Sequence, residues 1–147
     1  MRALIQRVNQ AKVEVSGKNI GEIGKGFLIL LGVAPADTEA DIIFLVDKVA
    51  NLRIFEDEHG KMNLSLRDIK GSALIVSQFT LYADCKKGRR PSFTDAAEPE
   101  FADSMYKKFI QKFRETGLSV ETGEFGADMN ITLVNSGPVT IMLDTKL

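Results

Sequence analysis

Asn130-Ile131-Thr132-Leu133-Val134-Asn135-Ser136-Gly137-Pro138-Val139-Thr140-Ile141-Met142-Leu143 is the stretch whose reading decides the fold. Both flanks, Asn130–Val134 and Val139–Leu143, are rich in the β-branched residues that suit a pleated surface. Between them stands a proline. Pro138 cannot donate to a ladder and is shut out of strand interiors, so Gly137-Pro138 marks a bend, a bulge or an edge whose carbonyls become available to another group. An ordinary turn between two separate strands satisfies the same local pattern, because Gly-Pro is common turn punctuation. A second motif has to choose between these readings.

Working outward towards the N-terminus, Gly123 to Met129 is a glycine-containing loop and Leu118–Thr122 is a strand. A helix is expected over about 99–116, with Pro99 at its start, Glu98 and Glu100 around it, Lys107, Lys108, Lys112 and Arg114 towards its end, and Gly117 beyond. Phe101, Ala102, Met105, Phe109 and Phe113 recur at helical spacing and form a core-facing stripe rather than a cofactor box. Before this helix, the apolar strand Ala73–Val76 runs directly into Ser77-Gln78-Phe79-Thr80-Leu81-Tyr82-Ala83. The hydroxyl and amide groups of Ser77, Gln78 and Thr80 suit a binding site, and they equally suit the satisfaction of backbone groups at a strand end. Lys86-Lys87-Gly88-Arg89-Arg90 then places four basic groups within five residues. Such a loop either holds phosphates or is a solvated surface.

In the N-terminal half, Ala3–Val8 and Val13–Val15 read as short strands, and Ser16-Gly17-Lys18-Asn19 supplies a hairpin connection to Ile20–Ile23, so a β-meander is expected. Gly26–Val33 is continuously apolar, as a strand covered on both faces should be, and is the expected central strand. Thr38-Glu39-Ala40-Asp41 resembles a capping box with aspartate in the usual glutamate place, and Ile42, Leu45, Val46 and Val49 follow at helical spacing, giving a first helix over about 38–52. Arg53–Phe55 and Met62–Leu64 flank an exposed hairpin that carries His59. The surroundings of this histidine are turn-like and charged, which makes it a solvated loop residue and argues against a Ser-His-Asp triad.

The chain has 147 residues, 27% of them charged and 44% apolar, which suits one compact soluble α/β domain. Cys85 is the only cysteine, so neither an intrachain disulfide nor a cysteine-based zinc cluster can form, and a reducing cytoplasm fits. Residues 1–10 lack the apolar core of a signal peptide, and the longest apolar run, Phe27 to Leu31, is far short of the roughly 20 residues that span a bilayer. A formal net charge of −1 provides no overall attraction to nucleic acid, so any such binding has to come from a local patch. There is no GxxxxGK[ST], no GxGxxG after a strand, no HExxH and no CxxC, which disfavours nucleotide-fuelled and zinc chemistry. No cofactor or metal is expected. The residues alone lead to an α/β domain with two polar motifs and a basic loop, without naming a reaction.

SQFTLYA at 77–83 and NSGPVT at 135–140, together with MRALIQRV at the N-terminus, resemble the D-aminoacyl-tRNA deacylase family. The likeness covers essentially the whole chain, including KKGRRPSF and GADMNITLVNSGPVT. It implies a homodimer of β-rich α/β subunits, with mixed and antiparallel sheets forming a barrel-like core and two main helices. It also implies an activity: hydrolysis of the ester between a D-amino acid, or glycine, and the terminal adenosine of a tRNA. By the resemblance, the bond Gly137-Pro138 is cis and reaches into the partner's site, where two parallel carbonyls reject L-amino acids. Arg7 matches the residue that braces this element. Ser77, Gln78, Phe79 and Thr80 match the facing wall, whose backbone amides stabilise an oxyanion. Thr80 has no evident base near it in sequence, and the family is understood to use the ribose 2′-hydroxyl of the RNA, so Thr80 reads as a positioning residue. Phe125, Met129 and Asn130 match positions that line or support the pocket, while Lys86, Lys87, Arg89 and Arg90 are the expected tRNA contacts. The main alternative is a non-catalytic RNA-binding module that uses the 86–90 loop, and a hydrolase of small esters acting through Thr80 is a third reading.

Overall fold

A computed structural model describes residues 1–146. In chain order the elements are β1 (Arg2–Val15), β2 (Lys18–Ile23), β3 (Gly26–Gly32), α1 (Glu39–Asn51), β4 (Phe55–Glu56), β5 (Met62–Leu64), β6 (Ser72–Ser77), a 3₁₀ turn (Phe79–Tyr82), α2 (Pro99–Glu115), β7 (Ser119–Thr122) and β8 (Met129–Asp144). The main sheet runs β2-β1-β3-β6-β7, with β8 added along β1, and β4 and β5 form a separate small hairpin. The β3–β6 and β6–β7 ladders are parallel and those of β1 with β2, β3 and β8 are antiparallel. β2 also packs against β6 and β7, which curls the sheet into a nearly closed barrel.

The continuous apolar run of β3 is explained by its two covered faces. Phe27, Ile29 and Leu31 join the core under the helices, with Ile42, Leu45 and Val49 of α1 and Met105, Phe109 and Phe113 of α2. Leu28 faces the other way, into the barrel interior with Val8, Ala11, Val13, Ile23, Leu74 and Val76. Each fully buried phenylalanine in such a core costs about 3–5 kcal/mol to truncate to alanine. One face of β3 and β6 therefore holds the helices, and the other fills the barrel.

Both helices form where they are expected. Thr38 caps α1 in an extended conformation, and the Asp41 carboxylate accepts a hydrogen bond from its backbone amide at 2.7 Å. α2 opens on Pro99 after Glu98, and Lys112 and Arg114 sit in its last turn.

Three readings of the strands change. The two short N-terminal strands are one strand, β1, because Asn9 and Gln10, though exposed, stay extended while ladders continue on both sides of them through a register shift. The N-terminus is not a meander. β3 pairs with the first half of β1 and β2 with its second half, so β1 lies between them. Gly137-Pro138 is not a turn between two strands, since residues on both sides of it pair with β1 in the same direction. Gln6 faces Thr140 and Val8 faces Asn135, so a single residue, Arg7, lies opposite Ser136 to Val139 in a wide bulge.

Candidate active site

At the C-terminal end of β6 the chain leaves the sheet and tightens into the 3₁₀ turn. The Gln78 amide donates to the Leu31 carbonyl at 2.8 Å, extending the β3–β6 pairing by one bond, and the Leu81 amide then closes on the Gln78 carbonyl at 3.3 Å. Among the described residues, the amides of Phe79 and Thr80 donate to nothing, as expected for the first donors of a helical turn. Gly32 makes this approach possible. A Cβ there would meet Tyr82 Cε2 at 3.1 Å, the Gln78 carbonyl oxygen at 3.2 Å and Leu81 Cβ at 3.2 Å.

The turn is clamped by a residue whose role the sequence did not reveal. Arg2 donates from Nη1 to the Leu81 carbonyl at 2.7 Å and from Nε to Asp144 at 2.8 Å, and its guanidinium lies 4.4 Å from the centre of the Tyr82 ring. It thus ties the turn to both β1 and β8. Burial pushes the Tyr82 phenol far up, so it stays neutral. From behind, Tyr106 of α2 donates to the Ile75 carbonyl at 2.7 Å, and burial pushes its phenol up to about 12. Phe125 packs on the Tyr106 ring at 6.1 Å.

These contacts frame a cavity of about 550 Å³, within the range that holds one small ligand. Its lining includes Ser77, Gln78, Phe79, Phe125 and Met129, so five of the candidate residues come together. Leu31, Val33, Phe93, the Ala96–Glu98 segment and Pro99 and Ala102 of α2 also line it. The Ala97 amide donates to the Val33 carbonyl at 2.9 Å, which seats the start of α2 against the end of β3. No local pattern marks these residues, because tertiary packing alone makes them neighbours. Glu98 is the only titratable residue in the lining. The single histidine, His59, is exposed on the β4–β5 hairpin beside Glu58.

Thr80 is exposed next to the cavity, and the side-chain amide of Gln78 donates to its hydroxyl. Asn130 is exposed on β8 opposite Glu14 and is absent from the lining. Lys86, Lys87, Arg89 and Arg90 are exposed and, among the described residues, form no ion pair.

Arg7, Gly137 and Pro138 lie elsewhere. The bulge is held from within: Asn135 accepts from the Val139 amide at 3.1 Å and donates to the Thr140 hydroxyl at 3.0 Å. Arg7 is buried beneath it, donating from Nε to the Ser136 carbonyl at 3.0 Å and from Nη1 to the Ile54 carbonyl at 2.6 Å. The Gly137-Pro138 bond is cis, and both residues are exposed outside the ladder. Within one chain they do not line the cavity.

A nearly closed barrel with two helices on one face thus carries an apolar cavity at whose edge, among the described residues, two backbone amides have no partner. A family model described as D-Tyr-tRNA(Tyr) deacylase matches residues 4–144. The chain belongs to that family. It is 61% identical to a D-aminoacyl-tRNA deacylase of Thermosipho melanesiensis, over 99% of this chain and 98% of the relative. It is 55% identical to one of Clostridioides difficile, again over 99% and 98%. A solved structure described as c-Myc DNA Unwinding Element Binding Protein superposes with a TM-score of 0.93 at 42% identity, covering 99% of both chains. A probable eukaryotic D-amino acid tRNA deacylase shares the fold, with a TM-score of 0.84 at 19% identity over 97% of each chain.

Proposed function

We propose that this deacylase hydrolyses the ester joining a D-amino acid, or glycine, to the 3′-terminal adenosine of a tRNA, as a homodimer whose subunits complete each other's sites. Water adds to the ester carbonyl carbon, the carbon–oxygen bond to the ribose breaks, and the products are the amino acid and a tRNA with a free ribose hydroxyl. The unpaired amides of Phe79 and Thr80 provide donors for the oxyanion of the tetrahedral intermediate. The exposed carbonyls of Gly137 and Pro138, presented by one subunit to the cavity of the other, crowd the position that an L side chain would occupy.

The observation that carries this reading is the chemistry of the cavity lining. It offers apolar walls and backbone donors at its edge, and its lining contains no histidine, cysteine or lysine and one carboxylate, Glu98. Such a site holds and polarises an ester without supplying a nucleophile–base pair. The missing group is supplied by the substrate, whose ribose 2′-hydroxyl stands beside the ester. Thr80 then serves by position, its hydroxyl held by Gln78.

The test compares D-tyrosyl-tRNA, L-tyrosyl-tRNA and D-tyrosyl-tRNA ending in 2′-deoxyadenosine. Only the first should be turned over rapidly. Thr80→Ala should retain much of the activity, whereas loss of a covalent nucleophile costs several orders of magnitude. Rapid hydrolysis of the deoxy substrate would refute RNA-assisted chemistry. A second reading, a nucleic-acid-binding module without chemistry, draws on the unpaired cations of the 86–90 loop and predicts binding with no release of either amino acid.

A further inference from the structure

We propose that the exposed pair Phe79–Phe93 is a stacking site for the base of the unpaired nucleotide that precedes the ester-bearing adenosine. The inference rests on the deacylase reading and extends it beyond the cavity. A cavity of about 550 Å³ holds one aminoacyl-nucleoside, so the next nucleotide has to leave across the rim. At that rim stand two large apolar side chains that the fold leaves open, Phe79 at 54% and Phe93 at 37% exposure. Their centroids are 5.0 Å apart and their planes meet at 73°. In this edge-to-face arrangement one ring turns only its edge to the other and keeps its own faces free for a third aromatic group.

The platform is held rigid. Asp84 and Ser92 exchange backbone hydrogen bonds of 2.7 and 2.9 Å immediately before Phe93, and the Ala96 amide donates to the Phe93 carbonyl at 3.1 Å. The segment closed by the Asp84–Ser92 bridge is the basic loop, so Lys86, Lys87, Arg89 and Arg90 are tethered to the strand end that carries Phe93 and, among the described residues, have no carboxylate partner. Exposed aromatic rings beside uncompensated cations are the elements with which proteins hold single-stranded RNA, the rings stacking on bases and the cations following the phosphates. A nucleotide inside a duplex has both faces stacked on its neighbours, so this surface favours an unstacked, single-stranded 3′ end.

The test uses two non-hydrolysable probes in which D-tyrosine is joined through an amide to 3′-amino-3′-deoxyadenosine. One is the nucleoside alone, and the other carries a preceding 2-aminopurine ribonucleotide. In the intact dimeric protein the 2-aminopurine fluorescence should be quenched on binding. Phe93→Ala should weaken the two-nucleotide probe by about 5- to 150-fold, the range for loss of one stacked base. That loss should exceed the loss on the nucleoside probe, Phe93→Tyr should restore the binding, and the salt dependence should match wild type. Equal losses on both probes would assign Phe93 to the cavity wall alone, and no loss on either would remove it from binding; both results overturn the proposal. Hydrolysis of D-tyrosyl-tRNA by the wild-type protein is measured in parallel. Its absence would overturn the deacylase reading, whereas its presence together with equal probe losses would overturn only the stacking site.

Discussion

Arg7 and Gly137 show how a single side chain and a missing one shape the bulge in β8. The guanidinium of Arg7 reaches carbonyls on two separate segments, Ser136 and Ile54, from a position only 7% exposed. A lysine carries its charge at one point and cannot serve both. Arg7→Lys should therefore lose one charge-assisted hydrogen bond and lower the unfolding free energy by about 1.5–3 kcal/mol, read from urea denaturation. Gly137 has φ of +128°, and a Cβ there would stand 2.8 Å from Val139 Cγ2 and 3.0 Å from Arg7 Nη2. Gly137→Ala must shift the bulge, so it should lose D-aminoacyl-tRNA turnover or begin to accept L-aminoacyl-tRNA while its far-ultraviolet circular dichroism stays native. Unchanged activity and unchanged chirality would show that the bulge has no part in recognition.

At the level of elements, the start of α1 makes the stability depend on pH. Burial of Asp41 opposes its ionisation. The Thr145 hydroxyl, the Thr38 amide and the Lys146 ammonium outweigh it and hold the carboxyl well below the usual carboxylate range. Lys146 is about half exposed, so solvent screens its share and the hydrogen bonds dominate. The folded chain binds this proton less readily than the unfolded one. The stabilisation is therefore complete above the unfolded aspartate value, near pH 4, and is lost as the pH falls towards the depressed folded value. Asp41→Asn should cost about 1–3 kcal/mol at pH 7. The gap between its melting curve and that of the wild type should shrink between about pH 4 and pH 2. A gap independent of pH would mean that Asp41 acts through packing rather than charge.

For the whole molecule, the question is what meets the bulge. Val134 and Met142 flank it on β8 at 43% and 46% exposure, and within one chain Gly137-Pro138 stays outside the cavity lining. In the proposed dimer these side chains would join the contact surface, since large exposed apolar patches mark such surfaces. A twofold dimer lets each copy place this segment at its partner's cavity. Light scattering at micromolar concentration should give twice the chain mass, and Met142→Glu should lower both the mass and the deacylation rate. A monomeric protein with full activity would refute the cross-subunit site.

Both helices were legible because their signals are local: the Thr38–Asp41 cap, Pro99 at a helix start, and apolar residues every three or four positions. Gly26–Val33 declared a two-sided strand by its unbroken apolar run. The polar motifs Ser77–Thr80 and Asn135–Thr140 were visible for the same reason, since each is contiguous. What the chain alone left open depends on partners far away in sequence. Asn9 and Gln10 look like the end of a strand until the ladders to β2 and β8 carry β1 past them. NSGPVT fits a turn or a bulge until β1 pairs with both of its flanks. Arg2 becomes the clamp of the 3₁₀ turn only once Leu81 and Asp144 are folded beside it. The sequence by itself determined the two helices, the two-sided strand and the motifs that mark the family. The tertiary structure decided how they meet, because cavity walls, ladder register and the hydrogen bonds of Arg2 and Arg7 form between residues that no local pattern brings together.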